Sequence, residues 1–135
     1  RVKQPMDLAI RYAYVRLFHR NMHHLLAPHA SLQWIRPLLD SVKNAEKHGL
    51  TVYSTEEDAK RSLRNEHYGY LTIRLAPNQD ITAERTPRHD PQLNCPLLAI
   101  RNISIDDFIR FSFSGHDFPI RKGVLYRPKS ITEGQ

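Results

Sequence analysis

The chain has 135 residues, of which 40% are hydrophobic and 25% charged, and its formal net charge is +6. This length and composition predict one globular domain over residues 1–135 and exclude a largely disordered chain. No apolar run approaches the length of a bilayer span, so we expect no transmembrane segment. The lone Cys95 excludes an internal disulfide and favours a reducing, cytoplasmic compartment. Because the sequence begins with Arg1 rather than Met, we expect a fragment of a longer protein.

The basic residues are mostly single Lys and Arg side chains spread along the chain rather than gathered in a block. This pattern is typical of a solvated surface. It also permits contact with anionic lipid, with a dinucleotide phosphate or with an acidic protein. The chain has no zinc-finger spacing, no RNP-like aromatic strand and no GXXG loop, so we expect no nucleic-acid partner.

Alternation in the first part of the chain predicts a strand over residues 8–18. Apolar residues then recur at helical intervals at Trp34, Ile35, Leu38, Leu39 and Val42. This spacing predicts a helix that starts near Ser31. A start near Arg36 is the alternative, since it would place Pro37 in the first turn of the helix.

The remaining elements follow an α+β order. Residues 68–75 alternate so that one face, with Leu71 and Ile73, is expected in the core and the other in solvent. Residues 76–96 carry four prolines and predict a long polar loop. The other predicted elements are a strand end at 52–53, a helix at 56–63, a strand at 97–101, a capped turn at Ser104, a strand at 109–113 and a last strand at 123–127.

Tyr53 stands where the predicted strand ends and the next helix begins. A hydroxyl of Ser54 or Thr55 can cap that helix, with Glu57 and Asp58 in its first turn. A helix N-terminus offers free N–H groups and the positive end of a dipole to an anion. A plain strand–helix junction with a structural tyrosine is the alternative interpretation.

Four histidines are close in sequence, at positions 19, 23, 24 and 29. On a helix, His19 and His23 would share a face as zinc-binding pairs do. The residues before them predict a strand and Pro28 interrupts the region, so a structural or loop role is favoured. No P-loop, GxSxG or HExxH motif supports a nucleotide-triphosphate, hydrolase or metalloprotease function.

The segments Leu17-Phe18-His19-Arg20 and Val52-Tyr53-Ser54-Thr55, followed by Asp58-Ala59, resemble the NAD-binding core of diphtheria-toxin-like ADP-ribosyltransferases. The resemblance implies that His19 holds the adenosine ribose and that Tyr53 stacks on the nicotinamide. The implied cofactor-binding residues are therefore His19, Arg20, Tyr53, Ser54 and Thr55. The family also uses a Glu on a later strand, and the strands predicted here have none. The nearest, Glu133, lies close to the C-terminus. We therefore expect NAD binding without catalysis.

Over most of its length the chain also resembles the C-terminal domain of the IcmQ family, components of the Dot/Icm type IVB secretion system. The features that carry this resemblance are a helix before the Val52-Tyr53 strand end, the acidic step Glu56-Glu57-Asp58, a Tyr-containing strand from Tyr68 to Leu75, Asp80 in a loop, Pro96-Leu97-Leu98, and then Ile103, Ile105, Phe108, Arg110, Gly123 and Leu125. The resemblance implies an ADP-ribosyltransferase-like split β-sheet with short flanking helices that binds NAD. It further implies a secretion-system or chaperone protein as partner and a cytoplasmic location, peripheral to the inner membrane.

Two alternative functions stay open. An active ADP-ribosyltransferase effector would need an acid near the nicotinamide, for which Asp106 and Asp107 are the candidates. A basic adaptor without a nucleotide ligand would use its charge alone. Its contact residues, for an anionic membrane or an acidic protein, are predicted to be Arg16, Arg121, Lys122, Arg127 and Lys129, with Arg20 near them. Separate solvated side chains are the competing interpretation of this basic set.

Overall fold

The computed structural model describes residues 11–82 and 89–132 of the chain. Its strands are β1 (Tyr12–Phe18), β2 (Leu50–Val52), β3 (Tyr68–Arg74), β4 (Asp80–Thr82), β5 (His89–Asp90), β6 (Cys95–Pro96), β7 (Leu98–Arg101), β8 (Phe108–Phe113), β9 (His116–Arg121) and β10 (Val124–Leu125). The α-helices are α1 (Ile35–Ala45), α2 (Glu56–Arg61) and α3 (Lys129–Thr132), and short 3-10 helices cover Met22–Leu26, Glu46–His48 and Ile105–Asp107. Within these residues no helix is long and apolar enough to cross a membrane.

Two antiparallel sheets organise the fold, and the predicted α+β class is confirmed. The large sheet has five strands in the order β1-β3-β8-β9-β10, and the small sheet has three in the order β2-β7-β4. β5 and β6 pair as a separate ribbon. An isolated bridge joins the two sheets, where Tyr14 and Tyr53 exchange main-chain hydrogen bonds of 2.8 and 3.1 Å. β2 itself pairs with β7 rather than with β1, so the two sheets part next to that bridge.

The main core joins one face of the large sheet to α1 and to the small sheet. α1 contributes Ile35, Leu39 and Val42, which lie at positions i, i+4 and i+7 and so share one face of the helix. The large sheet contributes the fully buried rings of Phe111 and Phe118. Burial of each such side chain stabilises the fold by about 1.5–3 kcal/mol.

A smaller cluster covers the second face of the large sheet. It consists of Tyr14, Tyr53, Ala59, Tyr70 and Cys95. β3 lies between β1 and β8 and is buried on both faces, with only its ends exposed or half-buried. The strand predicted over residues 68–75 is therefore confirmed as β3, but the expectation that it is only half-buried is wrong. Alternation reveals which residues share a face, but it does not reveal that a helix and a distant loop cover the second face.

The first helix begins later than predicted. α1 starts at Ile35 rather than near Ser31, and Pro37 falls in its first turn, where a missing N–H breaks no hydrogen bond. The residues before it form turns instead, because the Ser31 hydroxyl accepts from the N–H of Gln33 at 3.3 Å. The alternative start near Arg36 is within one residue of the observed one. Of the first predicted strand, residues 8–10 lie outside the described residues.

The prediction of a long loop over residues 76–96 is wrong, since this segment contains β4, β5 and β6. Ile81 of β4 pairs with Ile100 of β7 and is buried with it in the main core. The Gln79 side chain donates to the main-chain carbonyls of Arg101 and Asn102. A single buried isoleucine in a polar, proline-rich segment gives no periodic signal, so pattern reasoning missed β4. Residues 83–88 lie outside the described residues.

β9 was not predicted, and the last strand proved shorter than the predicted 123–127. β8 and β9 are joined by Ser114 and Gly115, and β9 and β10 by Lys122 and Gly123. All four residues have positive φ, between 50° and 79°. Two consecutive left-handed residues match the twist of a two-residue hairpin, which explains a glycine at the second position of each. The Ser-Gly and Lys-Gly pairs were the available sequence signal.

Candidate functional site

The junction after Tyr53 forms as predicted, with Thr55 as the N-cap. The Thr55 hydroxyl accepts from the N–H of Asp58 at 3.2 Å, and α2 begins at Glu56. The helix ends at Arg61, two residues before the predicted end. Glu56, Glu57 and Asp58 all lie in its first turn. Their three carboxylates already interact with the positive end of this short helix. A ligand phosphate placed there would therefore be repelled by three negative charges.

Tyr53 borders a small pocket where the two sheets part. The pocket, called the notch below, has a volume of about 200 Å³ and is lined by Val15, Arg16, Thr51, Tyr53 and Leu97. Tyr53 is only 6% exposed, and its main chain is fixed by the bridge to Tyr14. The Arg16 guanidinium donates to the carbonyl of Ser62 at 3.2 Å and lies 5.4 Å from the ring centre of Tyr68. The notch therefore combines one aromatic side chain, one cation and two apolar walls.

His19 lies just after β1 and is not among the residues that line the notch. Its Nδ1 accepts from the main-chain N–H of Asn21 at 3.0 Å, and its ring stacks on Trp34 with 4.5 Å between centres. Burial, helped by the charge of Arg20, lowers the pKa of His19. His19 is three positions after Arg16, the lining residue nearest to it in sequence, which corresponds to about 10 Å in an extended strand. Of the predicted site residues, the structure places Tyr53 and Arg16 at the notch and leaves His19, Arg20, Ser54 and Thr55 out of its lining.

The next histidines along the chain, His23 and His24, lie on the 3-10 helix Met22–Leu26. The rings of His23 and His24 contact each other, with 4.4 Å between their centres. Across residues 11–82 and 89–132, no group of three or more His, Cys, Asp or Glu side chains is placed to hold a metal ion.

A larger pocket, called the cleft below, lies between α2 and the second face of the large sheet. Its volume is about 470 Å³, within the usual range for small-molecule sites. The residues that line it are Glu56, Lys60, Leu63, Tyr70, Arg110, Ser112, Phe113, Ser114, Gly115, His116 and Asp117. Sequence reasoning missed this site. The polar residues that alternate with phenylalanines in β8 were its only sequence signal.

Hydrogen bonds fix the polar groups of the cleft. The Tyr70 hydroxyl donates to Glu56 Oε2 at 2.8 Å, and an Arg110 nitrogen lies 3.8 Å from the same oxygen. The Ser112 hydroxyl donates to Asp117 Oδ1 at 2.7 Å. Burial raises the pKa of Tyr70 to about 12, with Ser112 opposing the shift and Glu56 adding to it. Tyr70 is thus a fixed neutral donor at ordinary pH rather than a general base.

We expect Tyr70 to make the protein less stable in alkali. Its hydroxyl loses a proton more readily in the unfolded chain, near pH 10, than in the fold, near pH 12. The free energy of unfolding should therefore fall as pH rises from 10 towards 12, by about 1 kcal/mol at the middle of that window. Urea unfolding across this pH range measures the fall. Tyr70→Phe should reduce the fall and leave the part due to Tyr14, whose pKa burial also raises, and an equal slope in this variant would contradict the assignment.

The predicted basic contact residues lie on different elements of the fold. Arg127 donates to four main-chain carbonyls at 2.8–3.1 Å, those of His24, Leu25, Pro28 and Ala30. Arg127 is thus engaged within the chain, whereas Arg16 makes one hydrogen bond, to the carbonyl of Ser62. Arg121 and Lys122 lie together at the β9–β10 turn, and the Arg121 guanidinium is 5.3 Å from the ring centre of Tyr126. The strand order puts β3 and β8 between β1 and β9, which separates Arg16 from Arg121. Lys129 begins α3.

Of the two acids considered for catalysis, Asp107 caps a short helix with its carboxylate, while Asp106 contributes its main-chain N–H to the same turn. The Ser104 hydroxyl accepts from the N–H of Asp106 at 3.2 Å, and an Asp107 oxygen accepts from the N–H of Ser104 at 3.2 Å. This capping box confirms the predicted capped turn. Neither acid lines the notch or the cleft. Glu133 lies outside the described residues.

Comparisons with protein-family models and with curated proteins gave no match for the chain. Its function therefore has to be inferred from the notch, the cleft and the surface.

Proposed function

We propose that the chain is a non-catalytic NAD-binding domain built on an ADP-ribosyltransferase-like split sheet. The observation that supports this most is the position of Tyr53. It stands at the bridge between a five-stranded and a three-stranded antiparallel sheet, beside the pocket that opens where they part. A split sheet of this kind leaves one aromatic residue next to a gap between two strands, where a flat ring can enter.

The side chains of the notch suit the nicotinamide end of NAD. Tyr53 supplies an aromatic group, Leu97 an apolar wall and Arg16 a cation for the diphosphate. The volume, about 200 Å³, is below the range that encloses a whole drug-sized ligand, so only one ring of a dinucleotide would be buried. The remainder of the ligand would lie over the surface near the end of β1.

His19 suits the ribose at that end. Because its Nδ1 accepts a hydrogen bond from Asn21, the proton of the neutral ring is on Nε2. Burial keeps the pKa of His19 low, so the ring stays neutral near pH 7. Nε2–H can then donate to a ribose hydroxyl, with Arg20 next to it in sequence for a phosphate.

The described lining of the notch carries no acid, which supports binding without chemistry. Among the described residues, the five that line it are Val15, Arg16, Thr51, Tyr53 and Leu97, and none of them carries a carboxylate. Transfer of ADP-ribose develops positive charge on the sugar, which a preorganised carboxylate stabilises by several kcal/mol.

The resemblance to the IcmQ family extends the proposal to a component of a type IVB secretion system that acts with a secretion or chaperone protein at the cytoplasmic side of the inner membrane.

Titration with NAD, followed by calorimetry and by NMR shifts of Tyr53 and its neighbours, tests the proposal. We expect weak binding that Leu97→Trp abolishes by filling the notch, while Leu97→Met, of similar volume to leucine, leaves it unchanged. Tyr53→Phe should keep most of the affinity, since the ring is retained. We expect no release of nicotinamide. Binding that survives Leu97→Trp, or no shift at millimolar NAD, would overturn the proposal.

A further inference from the structure

An apolar groove lies at the edge of the large sheet, between β10 and the start of α1. Its volume is about 320 Å³, and it is lined by Leu32, Gln33, Ile35, Arg36, Gly123, Val124 and Leu125. Of the lining residues Val124 is 47% exposed, and Tyr126, which follows the lining along the chain, is 45% exposed. Apolar side chains are thus exposed together at one edge, next to a depression that fits aliphatic side chains.

The backbone at this edge can accept another strand. β10 is the last strand of the large sheet and pairs only with β9 among the described strands. Leu125 lies opposite Ile120, and the next hydrogen bond of the ladder runs from the N–H of Tyr126 to the carbonyl of Pro119 at 2.8 Å. In an antiparallel pair hydrogen-bonded and non-bonded positions alternate, so the N–H and C=O of Leu125 point away from β9. An extended segment laid along β10 can pair with them.

The charges around the groove are positive. Arg121 and Lys122 are exposed at the β9–β10 turn, and the Arg36 guanidinium donates to the carbonyl of Gly123 at 3.4 Å. Asp40 also lies near, but its carboxylate is 3.1 Å from Arg36 Nε and is neutralised by that pair. Val124 lies opposite Arg121 in the register, so side chains on this face of β10 would lie beside Arg121, and Lys122 follows it in the turn.

We infer that this edge binds an extended segment of a partner protein in which apolar and acidic residues alternate. Apolar side chains would enter the groove beside Leu125, and the alternate side chains would face Arg121 and Lys122, because successive residues of a strand point to opposite sides. A protein segment is favoured over a membrane surface since the groove is concave. In addition, Arg127, which a broad basic surface would need, is engaged internally by four main-chain carbonyls. The inference does not depend on NAD binding.

Fluorescence anisotropy tests it with a short dye-labelled peptide in which Glu alternates with Val or Leu. We expect saturable binding to the whole chain that weakens as salt rises. The paired substitution Arg121→Glu with Lys122→Asp should weaken binding about tenfold or more. Asp is chosen because Lys122 has a φ of 50°, which Asp tolerates. Val124→Glu should weaken binding similarly by placing an acid at the edge.

The matched control is Lys47→Glu with Arg64→Glu, which changes the net charge equally at two exposed positions outside the groove lining. It should bind like the unaltered chain. The same peptide with Lys in place of Glu should not bind, and nor should one with its acidic and apolar residues in separate blocks. If the control variant lost as much affinity for the peptide, the weakening would be explained by net charge alone, and the inference would be overturned. A second result would also overturn it: the chain binds phosphatidylserine vesicles but not the peptide, and Arg121→Glu with Lys122→Asp removes the vesicle binding.

Discussion

Arg127→Gln should lower the free energy of unfolding by about 3 kcal/mol. The Arg127 guanidinium donates to four main-chain carbonyls between residues 24 and 30, at 2.8–3.1 Å. Glutamine has two N–H donors on a shorter side chain and cannot reach all of them, so several carbonyls would lose their partner. These carbonyls belong to the 3-10 helix Met22–Leu26 and the turn after it, whose Met22 and Leu25 are completely buried.

Urea unfolding measures this loss. Arg127→Lys should recover only part of the stability, because an ammonium group presents three donors at one point rather than a fork. Arg64→Gln, at an exposed position, should leave the midpoint unchanged and serves as the control. A wild-type midpoint in Arg127→Gln would show that the hydrogen bonds contribute nothing. If Arg127→Gln also reduced binding to anionic vesicles without unfolding, the internal role assigned to this arginine would be wrong.

Elements defined by local pattern were predictable. The strands at 97–101 and 109–113 are found as β7 and β8 within one residue, and the capped turn at Ser104 forms its capping box. The cap of α2 by Thr55 was also among the predicted options. In each case the signal lies within a few residues: alternation of apolar side chains, or a hydroxyl before an acid.

Elements that depend on distant contacts were not predictable. β4 is held by pairing with β7 and by Gln79, which bonds to carbonyls more than twenty residues away along the chain. Both faces of β3 are buried because α2 and the segment near Cys95 fold over it. The residues near β4 and β3 in the sequence do not indicate which distant segments will pack against these strands.

The notch and the cleft also differ in how far local sequence could predict them. Tyr53 was singled out because its junction has a local signature, and it does lie at a pocket. The cleft joins residues from α2, β3, β8 and β9, so Glu56 and Tyr70 meet only through the topology. Arg127 looked like a surface cation for the same reason. Nothing near it in sequence reveals that carbonyls about a hundred residues earlier surround its guanidinium.

Gly69→Ala should destabilise the fold although alanine is the better strand residue. Removing a glycine from a strand favours the folded state by about 0.5–1 kcal/mol through backbone entropy. A Cβ at Gly69, however, would lie 2.7 Å from the carbonyl oxygen of Ser112 and overlap the ring of Phe111. Phe111 is completely buried, and the Ser112 carbonyl belongs to the neighbouring strand, so neither can move freely. Overpacking of this kind costs about 1–3 kcal/mol, which outweighs the gain.

Thermal and urea unfolding of Gly69→Ala should therefore show a net loss of about 1–2 kcal/mol. Gly115→Ala is the matched control, because a Cβ there meets no atom within 4 Å. Its cost, about 1 kcal/mol, comes from a φ of 79° alone and should not depend on its neighbours. Combining each variant with Phe111→Leu separates the two causes: the smaller side chain should offset part of the loss in Gly69→Ala and simply add its own cost to Gly115→Ala. Additive losses in both pairs would mean that the contact between β3 and Phe111 does not restrict residue 69.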